Sequence, residues 1–165
     1  MRNVLQGELT SINAKFGIVT AKFNSPVTEK LEQGARQRFA ELGVSEENIV
    51  CVRVPGAVEI TLATKWLLEQ GCDAVVSLGA VIRGETSHYD YVCNSVERGC
   101  TELMLETGKP VAFGVLTTEN AEQAFARAGG KKGNKGAEAV DVVVEMLNLN
   151  NTIKKLTIKE IRDVR

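Results

Sequence analysis

The chain contains a single histidine, His88, inside the stretch GETSHYD (Gly84–Asp90). An imidazole with an ordinary pKa of about 6.5 is suited to moving protons near neutrality. Ser87 and Asp90 stand three apart, the spacing of a capping box, which predicts a helix opening on Ser87. The N–H groups at such an opening lack intrahelical partners and carry partial positive charge, so they attract anions, phosphate above all. Gly84 lets backbone approach a ligand closely, and Thr86 adds a hydroxyl. Glu85 fits only if its carboxylate turns away. Two readings stand on residue type alone: an anion site with an acid–base group beside it, or a well-capped helix carrying a surface histidine.

Three further clusters have useful chemistry. KFNSP (Lys22–Pro26) offers an aromatic, Phe23, and an amide, Asn24. PGAVE (Pro55–Glu59) offers a glycine-containing loop ending in a carboxylate, Glu59. ARAGGKKGNKG (Ala126–Gly136) holds Arg127, Lys131, Lys132 and Lys135 among four glycines. It reads either as a flexible solvated joint or as a phosphate clamp with Arg127 as its fork. Phe23 also reads as a core cap, Asn24 as a helix cap, and Glu59 as an ordinary first-turn carboxylate. The four cysteines, Cys51, Cys72, Cys93 and Cys100, form no C-x-x-C pair. They read as small buried apolar residues, with no metal site.

These clusters need elements to position them. Runs rich in Val and Ile predict strands at 16–23, 48–54, 73–82 and 110–116, apolar throughout as strands covered on both faces must be. Between and after them, amphipathic stretches predict helices at 26–42, 58–70, 88–107, 119–128 and 137–149. Gly43, Gly71 and Gly108 stop the first three, and Pro26 stands near the start of the first. Strand–helix alternation predicts α/β architecture, a parallel sheet with helices on both faces. QGELTSI, residues 6–12, could form a strand that pairs separately. In such sheets ligands bind outside the carboxyl ends of the strands, and that is where KFNSP, PGAVE, IRGETSH and TTEN fall. The clustering favours a polar, partly aromatic small molecule.

A length of 165 residues suits one domain, 1–165, with a charged tail from about 150 that reads as a surface helix or loose segment. With 20 basic and 21 acidic residues, the chain lacks the basic excess expected of a nucleic-acid or acidic-membrane binder. The N-terminus lacks a signal-peptide core and no run reaches the apolar length of a membrane span, so the expectation is a cytoplasmic protein.

At this point the residues resemble a known family. KFN (Lys22–Asn24), VPGAVE (Val54–Glu59), GAVIRGETSHYDYV (Gly79–Val92) and PVAFGVLTTENAEQAFARAGGKKGNKGAEA (Pro110–Ala139) resemble, in order and spacing, the lumazine synthases of riboflavin biosynthesis. The resemblance implies a three-layer αβα sandwich, flavodoxin-like, with an additional N-terminal strand pairing with a neighbouring subunit. It implies a transferase that condenses 5-amino-6-(ribitylamino)uracil with 3,4-dihydroxy-2-butanone 4-phosphate, with no metal or organic cofactor. By resemblance, Phe23 stacks on the pyrimidine, and Asn24, Ala57, Val58 and Glu59 hold the ribitylamino substrate. Ala80, Val81 and Ile82 line the ring pocket, Glu85 and Thr86 bind phosphate through backbone, and Arg127 adds charge. His88 transfers protons. Phe113 and Lys135 match further pocket positions and, with Arg127, come from a neighbour. Homopentamers follow, twelve of which would close an icosahedral shell of about 60 subunits.

Two departures stand out. Val58 replaces the aromatic of many members, and Lys132 departs from the usual shell-forming joint. A lumazine-binding protein without turnover is the competing reading, and a shell whose main role is enclosure is a third. A flavodoxin-type flavin carrier lacks support, because KFNSP is not a phosphate loop. A response-regulator receiver lacks its acidic pair after the first strand.

Overall fold

The computed structural model describes residues 4–156 and Glu160. A four-stranded parallel sheet has the order β2-β1-β3-β4, with β1 at Phe16–Ala21, β2 at Ile49–Val54, β3 at Ala74–Ile82 and β4 at Val111–Thr118. Every residue of β1 is buried, as the unbroken apolar run required of a central strand. Alternate residues face opposite sides. Phe16 and Ile18 meet α1 (Ser25–Glu41) and α5 (Lys135–Lys154), with the Phe16 ring 4.8 Å from Phe39. Val19 and Ala21 meet α2 (Ile60–Glu69) and α3 (His88–Thr107). The result is the expected three-layer sandwich, with one core on each side of the sheet.

The sequence placed the strands and first three helices within a few residues, and the differences have local causes. A 3₁₀ turn, Ala57–Glu59, precedes α2. Ser87 is not a side-chain cap: its backbone is already helical and its hydroxyl bonds no helix N–H, while Asp90 turns to Arg83. The fourth helix, α4, is shorter than expected, Ala121–Ala126, because Asn120 caps it by accepting from the Gln123 N–H at 2.9 Å. α5 is longer at both ends than 137–149. Asn134 caps it, accepting from Gly136 and Ala137, and the helix runs to Lys154 through part of the segment read as a tail.

The glycine-rich joint is neither loose nor simply a clamp. β5 (Ala128–Gly130) and β6 (Gly133–Asn134) form a small antiparallel hairpin. Gly129 and Gly133 supply the positive φ values its turns require, 102° and 79°. Such short glycine-rich strands carry no alternation for a sequence reading to find.

Residues 4–15 contain no strand within this chain. Their backbone is held by Asn148, which donates to the carbonyls of Glu8 and Thr10, and by Ser11, which donates to Gly43. The cysteine expectation is corrected at one position: Cys72 and Cys100 are buried and Cys93 half-buried, but Cys51 is exposed. It lies on β2, an edge strand that pairs only with β1 among the described residues.

Candidate active site

Three strand ends converge on one cleft of about 550 Å³. The β1 end contributes Phe23 and Asn24. The β2 end contributes Gly56, Ala57, Val58 and Glu59. The β3 end contributes Ala80, Val81 and Ile82, and the turn into α3 adds Gly84, Thr86 and His88, with Tyr89 and Val92 behind them. A cleft of about 610 Å³ along β2, between Arg36 and Cys51, is larger but holds no comparable set of acid–base and aromatic groups.

The backbone beyond β1 makes this convergence. Lys22 and Phe23 donate to the Val54 and Pro55 carbonyls, so β1 and β2 stay paired just past their ends and bring Phe23 beside the Gly56 loop. Asn24 then reverses the chain in the left-handed region, φ 61°, a conformation asparagine tolerates better than most residues. Its side chain does not cap α1. It donates across to the Ala80 carbonyl at 2.8 Å. Phe23 and Val58 are left exposed on the cleft, 71% and 49% accessible, where large apolar side chains have no partner in the single chain.

The turn before α3 has mixed donors. Thr86 Oγ1 accepts from the His88 N–H at 3.3 Å, which removes one helix-end donor from availability. Asp90 N–H is taken by the Ser87 carbonyl. The N–H groups of Glu85, Thr86 and Ser87 donate no hydrogen bond among the described residues, so an anion has three backbone donors to meet. Glu85 itself does not line the cleft, consistent with a carboxylate turned away.

Phe113, Arg127 and Lys135 are not brought into this cleft. Phe113 sits within β4, opposite Ser77 in register and well short of the strand's carboxyl end. It is 41% exposed because β4 is the other edge of the sheet. Arg127 follows α4 and donates to the Gln123 carbonyl at 3.0 Å. Lys135 begins α5 and pairs with Glu138 at 2.5 Å. Its backbone donates to the Arg127 carbonyl, so the hairpin holds these two cations on one segment. Among the described residues, no lysine or arginine lines the cleft. They give it an acid–base group, a carboxylate and an aromatic platform, but no full positive charge.

Sequence reasoning missed Tyr89 and Val92 as lining residues. The signal was present: with His88 as the first helical residue, 88, 89 and 92 fall on one face at helical spacing.

Among the described residues, no helix is long and apolar enough to cross a membrane, and no His/Cys/Asp/Glu group could hold a metal.

Comparison with known proteins agrees with this geometry. The family model described as 6,7-dimethyl-8-ribityllumazine synthase matches residues 13–151. The chain is 59% identical over 140 residues to the 6,7-dimethyl-8-ribityllumazine synthase of Bdellovibrio bacteriovorus, covering 84% of this chain and 76% of that one. It is 49% identical over 143 residues to the enzyme of that name from Cytophaga hutchinsonii, covering 86% and 90%. It is 53% identical over 147 residues to that of Coxiella burnetii, covering 88% and 97%. With a family model matching residues 13–151 and relatives about half or more identical over most of the chain, this protein belongs to the 6,7-dimethyl-8-ribityllumazine synthase family.

Proposed function

We infer that this protein is a transferase of riboflavin biosynthesis, condensing 5-amino-6-(ribitylamino)uracil with 3,4-dihydroxy-2-butanone 4-phosphate to 6,7-dimethyl-8-ribityllumazine. The observation that carries this reading is the convergence of Phe23, Glu59 and His88 on one cleft in a chain of this family. Phe23 stacks on the pyrimidine, and Ala80, Val81 and Ile82 enclose it. Asn24, Ala57, Val58 and Glu59 hold the ribityl side, Glu59 by accepting from its hydroxyls. The free N–H groups at Glu85 and Thr86 receive the phosphate.

The chemistry follows from these placements. The uracil's amine attacks the ketone carbonyl to form an imine. Loss of phosphate gives an enol, and ring closure completes the product. His88 carries protons during dehydration and elimination. Holding two reactive molecules together supplies much of the acceleration, and stabilising the departing phosphate supplies more. No cofactor is called for.

The cleft's lack of a cation supports a site shared between subunits, with Arg127, Lys135 and Phe113 arriving from the neighbour. The free edge of β2 supports pairing with a neighbour's residues 4–12, since open edges invite an added strand. The resemblance to the family implies that such neighbours close into homopentamers, and twelve of these into a shell. The protein forms one domain over 1–165 and works in the cytoplasm.

The test is to mix purified protein with both substrates and follow lumazine absorbance against the uncatalysed condensation. Acceleration that is slowed but not abolished by His88→Ala supports the reading. No acceleration, with the uracil substrate still bound, would replace it with a lumazine-binding protein.

A further inference from the structure

We propose that Arg83 is the positioning residue of the phosphate half of this site, clamping the turn 84–88 in its binding shape. The proposal rests on the reading of the cleft given above. Arg83 is the first residue after β3, and its N–H donates to the Thr118 carbonyl at 2.9 Å, fixing its backbone to the end of β4. Its side chain then reaches over the turn. Nε donates to Glu119 at 2.8 Å, and the two terminal nitrogens lie 3.4 and 3.5 Å from Asp90. The guanidinium carbon stands 4.2 Å above the Tyr89 ring.

One planar group thus joins the residue before the turn to the two residues after His88. The segment between, Gly84–His88, becomes a closed loop. It carries the free N–H groups, Thr86 and the imidazole. A Cβ added at Gly84 would meet nothing within 4 Å, so no side-chain packing holds the backbone there, and the clamp compensates for the freedom that glycine leaves.

Two simpler roles fit less well. Arg83 is the cation nearest to the anion loop in sequence, yet it does not line the cleft, and an anion brought to it would meet Asp90 and Glu119. An isolated surface ion pair would count for little, because exposed pairs are weak. Here the fork and the ring face act together, and only a guanidinium satisfies both. The ring half of the cleft rests on Phe23 after β1, Val58 after β2 and Ala80 within β3, all outside the turn that Arg83 closes. Loss of the clamp must therefore affect the two substrates unequally.

The experiment compares wild type, Arg83→Gln and Arg83→Lys as purified assemblies, with melting temperature and particle size as controls. Asp90→Asn and Glu119→Gln remove the opposite anchors and serve if Arg83→Gln does not fold. Arg83→Gln is expected to raise KM for the butanone phosphate about tenfold while leaving KM for the uracil substrate within about twofold. Inorganic phosphate binding, measured by calorimetry, weakens by a similar factor. Arg83→Lys recovers less than half of the loss, since it lacks the fork. Asp90→Asn moves the same constants in the same direction.

Equal rises in both KM values, an unchanged phosphate affinity, or full rescue by lysine would each overturn the proposal. The functional reading fails separately, if wild type does not accelerate the condensation. Phosphate calorimetry on the variants still decides Arg83 in that case.

Discussion

The side-chain amide of Asn24 donates to the Ala80 carbonyl across 2.8 Å, tying the end of β1 to the end of β3 beneath the cleft. Asn24 also holds a left-handed backbone, φ 61°. Substitutions can separate these two contributions. Asn24→Gly keeps the backbone at no steric cost and loses only the hydrogen bond, a destabilisation of about 1 kcal/mol. Asn24→Ala loses the bond and adds left-handed strain, about 1–2 kcal/mol more. Urea unfolding of the two variants checks this. Equal midpoints would mean the backbone conformation is not strained for alanine.

A site completed by a neighbour predicts complementation between impaired variants. His88→Ala damages the strand-end cleft, whereas Arg127→Ala damages the segment proposed to reach the next subunit. Assemblies re-formed from equal amounts of the two should contain some sites with both residues intact, about a quarter of them if mixing is random. Turnover should then rise above that of either variant alone. Mixed assemblies no faster than the variants' average would place Arg127 in its own chain's site.

Val58 is exposed on the cleft where a larger ring could lie against the bound pyrimidine. Val58→Phe is expected to lower KM for the ribitylamino substrate about three- to tenfold, the return of one aromatic contact of roughly 0.5–1.5 kcal/mol. KM for the phosphate substrate should hold. A higher KM would show that the valine makes room the ligand needs.

Glu32 of α1 anchors the edge strand β2 by accepting from Arg53 at 3.1 and 3.2 Å. Burial pushes its carboxyl up, but the Arg53 hydrogen bonds, helped by Thr20 and by the charges of Arg53 and Arg36, outweigh burial and leave it below the ordinary range. A carboxyl depressed in the fold stabilises above its unfolded pKa, about 4.3, and that stability is lost as pH falls through the lower folded value. Urea midpoints of wild type and Glu32→Gln should converge as pH drops from about 6 to about 3. Parallel curves across that range would remove Glu32 from the acid response.

The layers of this fold were legible because burial on both faces writes itself into a strand. FGIVTA has no charged residue and only one polar one, Thr20, so its centrality could be read directly. Gly43, Gly71 and Gly108 marked helix ends for a similarly local reason: each has positive φ. The strand-end rule places Phe23, Glu59 and His88 on one edge from the sequence alone.

Other features depended on contacts distant in sequence. Nothing near Asn24 reveals that its amide crosses to Ala80, and the local sequence does not decide whether the Asp90 carboxylate serves the helix opening at Ser87 or turns to Arg83 seven residues before it. Side chains with two plausible partners are decided by which partner the fold brings within reach. The hairpin at 128–134 was invisible for the same reason, being held by backbone pairing between glycine-rich segments without a side-chain pattern. The sequence by itself determined the sheet, its two cores and the edge on which chemistry gathers, because those follow from hydrophobic period and local chain stops. Only the tertiary structure decided that no cation among the described residues lines this cleft and that Arg83 spans its anion turn, because both depend on distances between elements that no local pattern encodes.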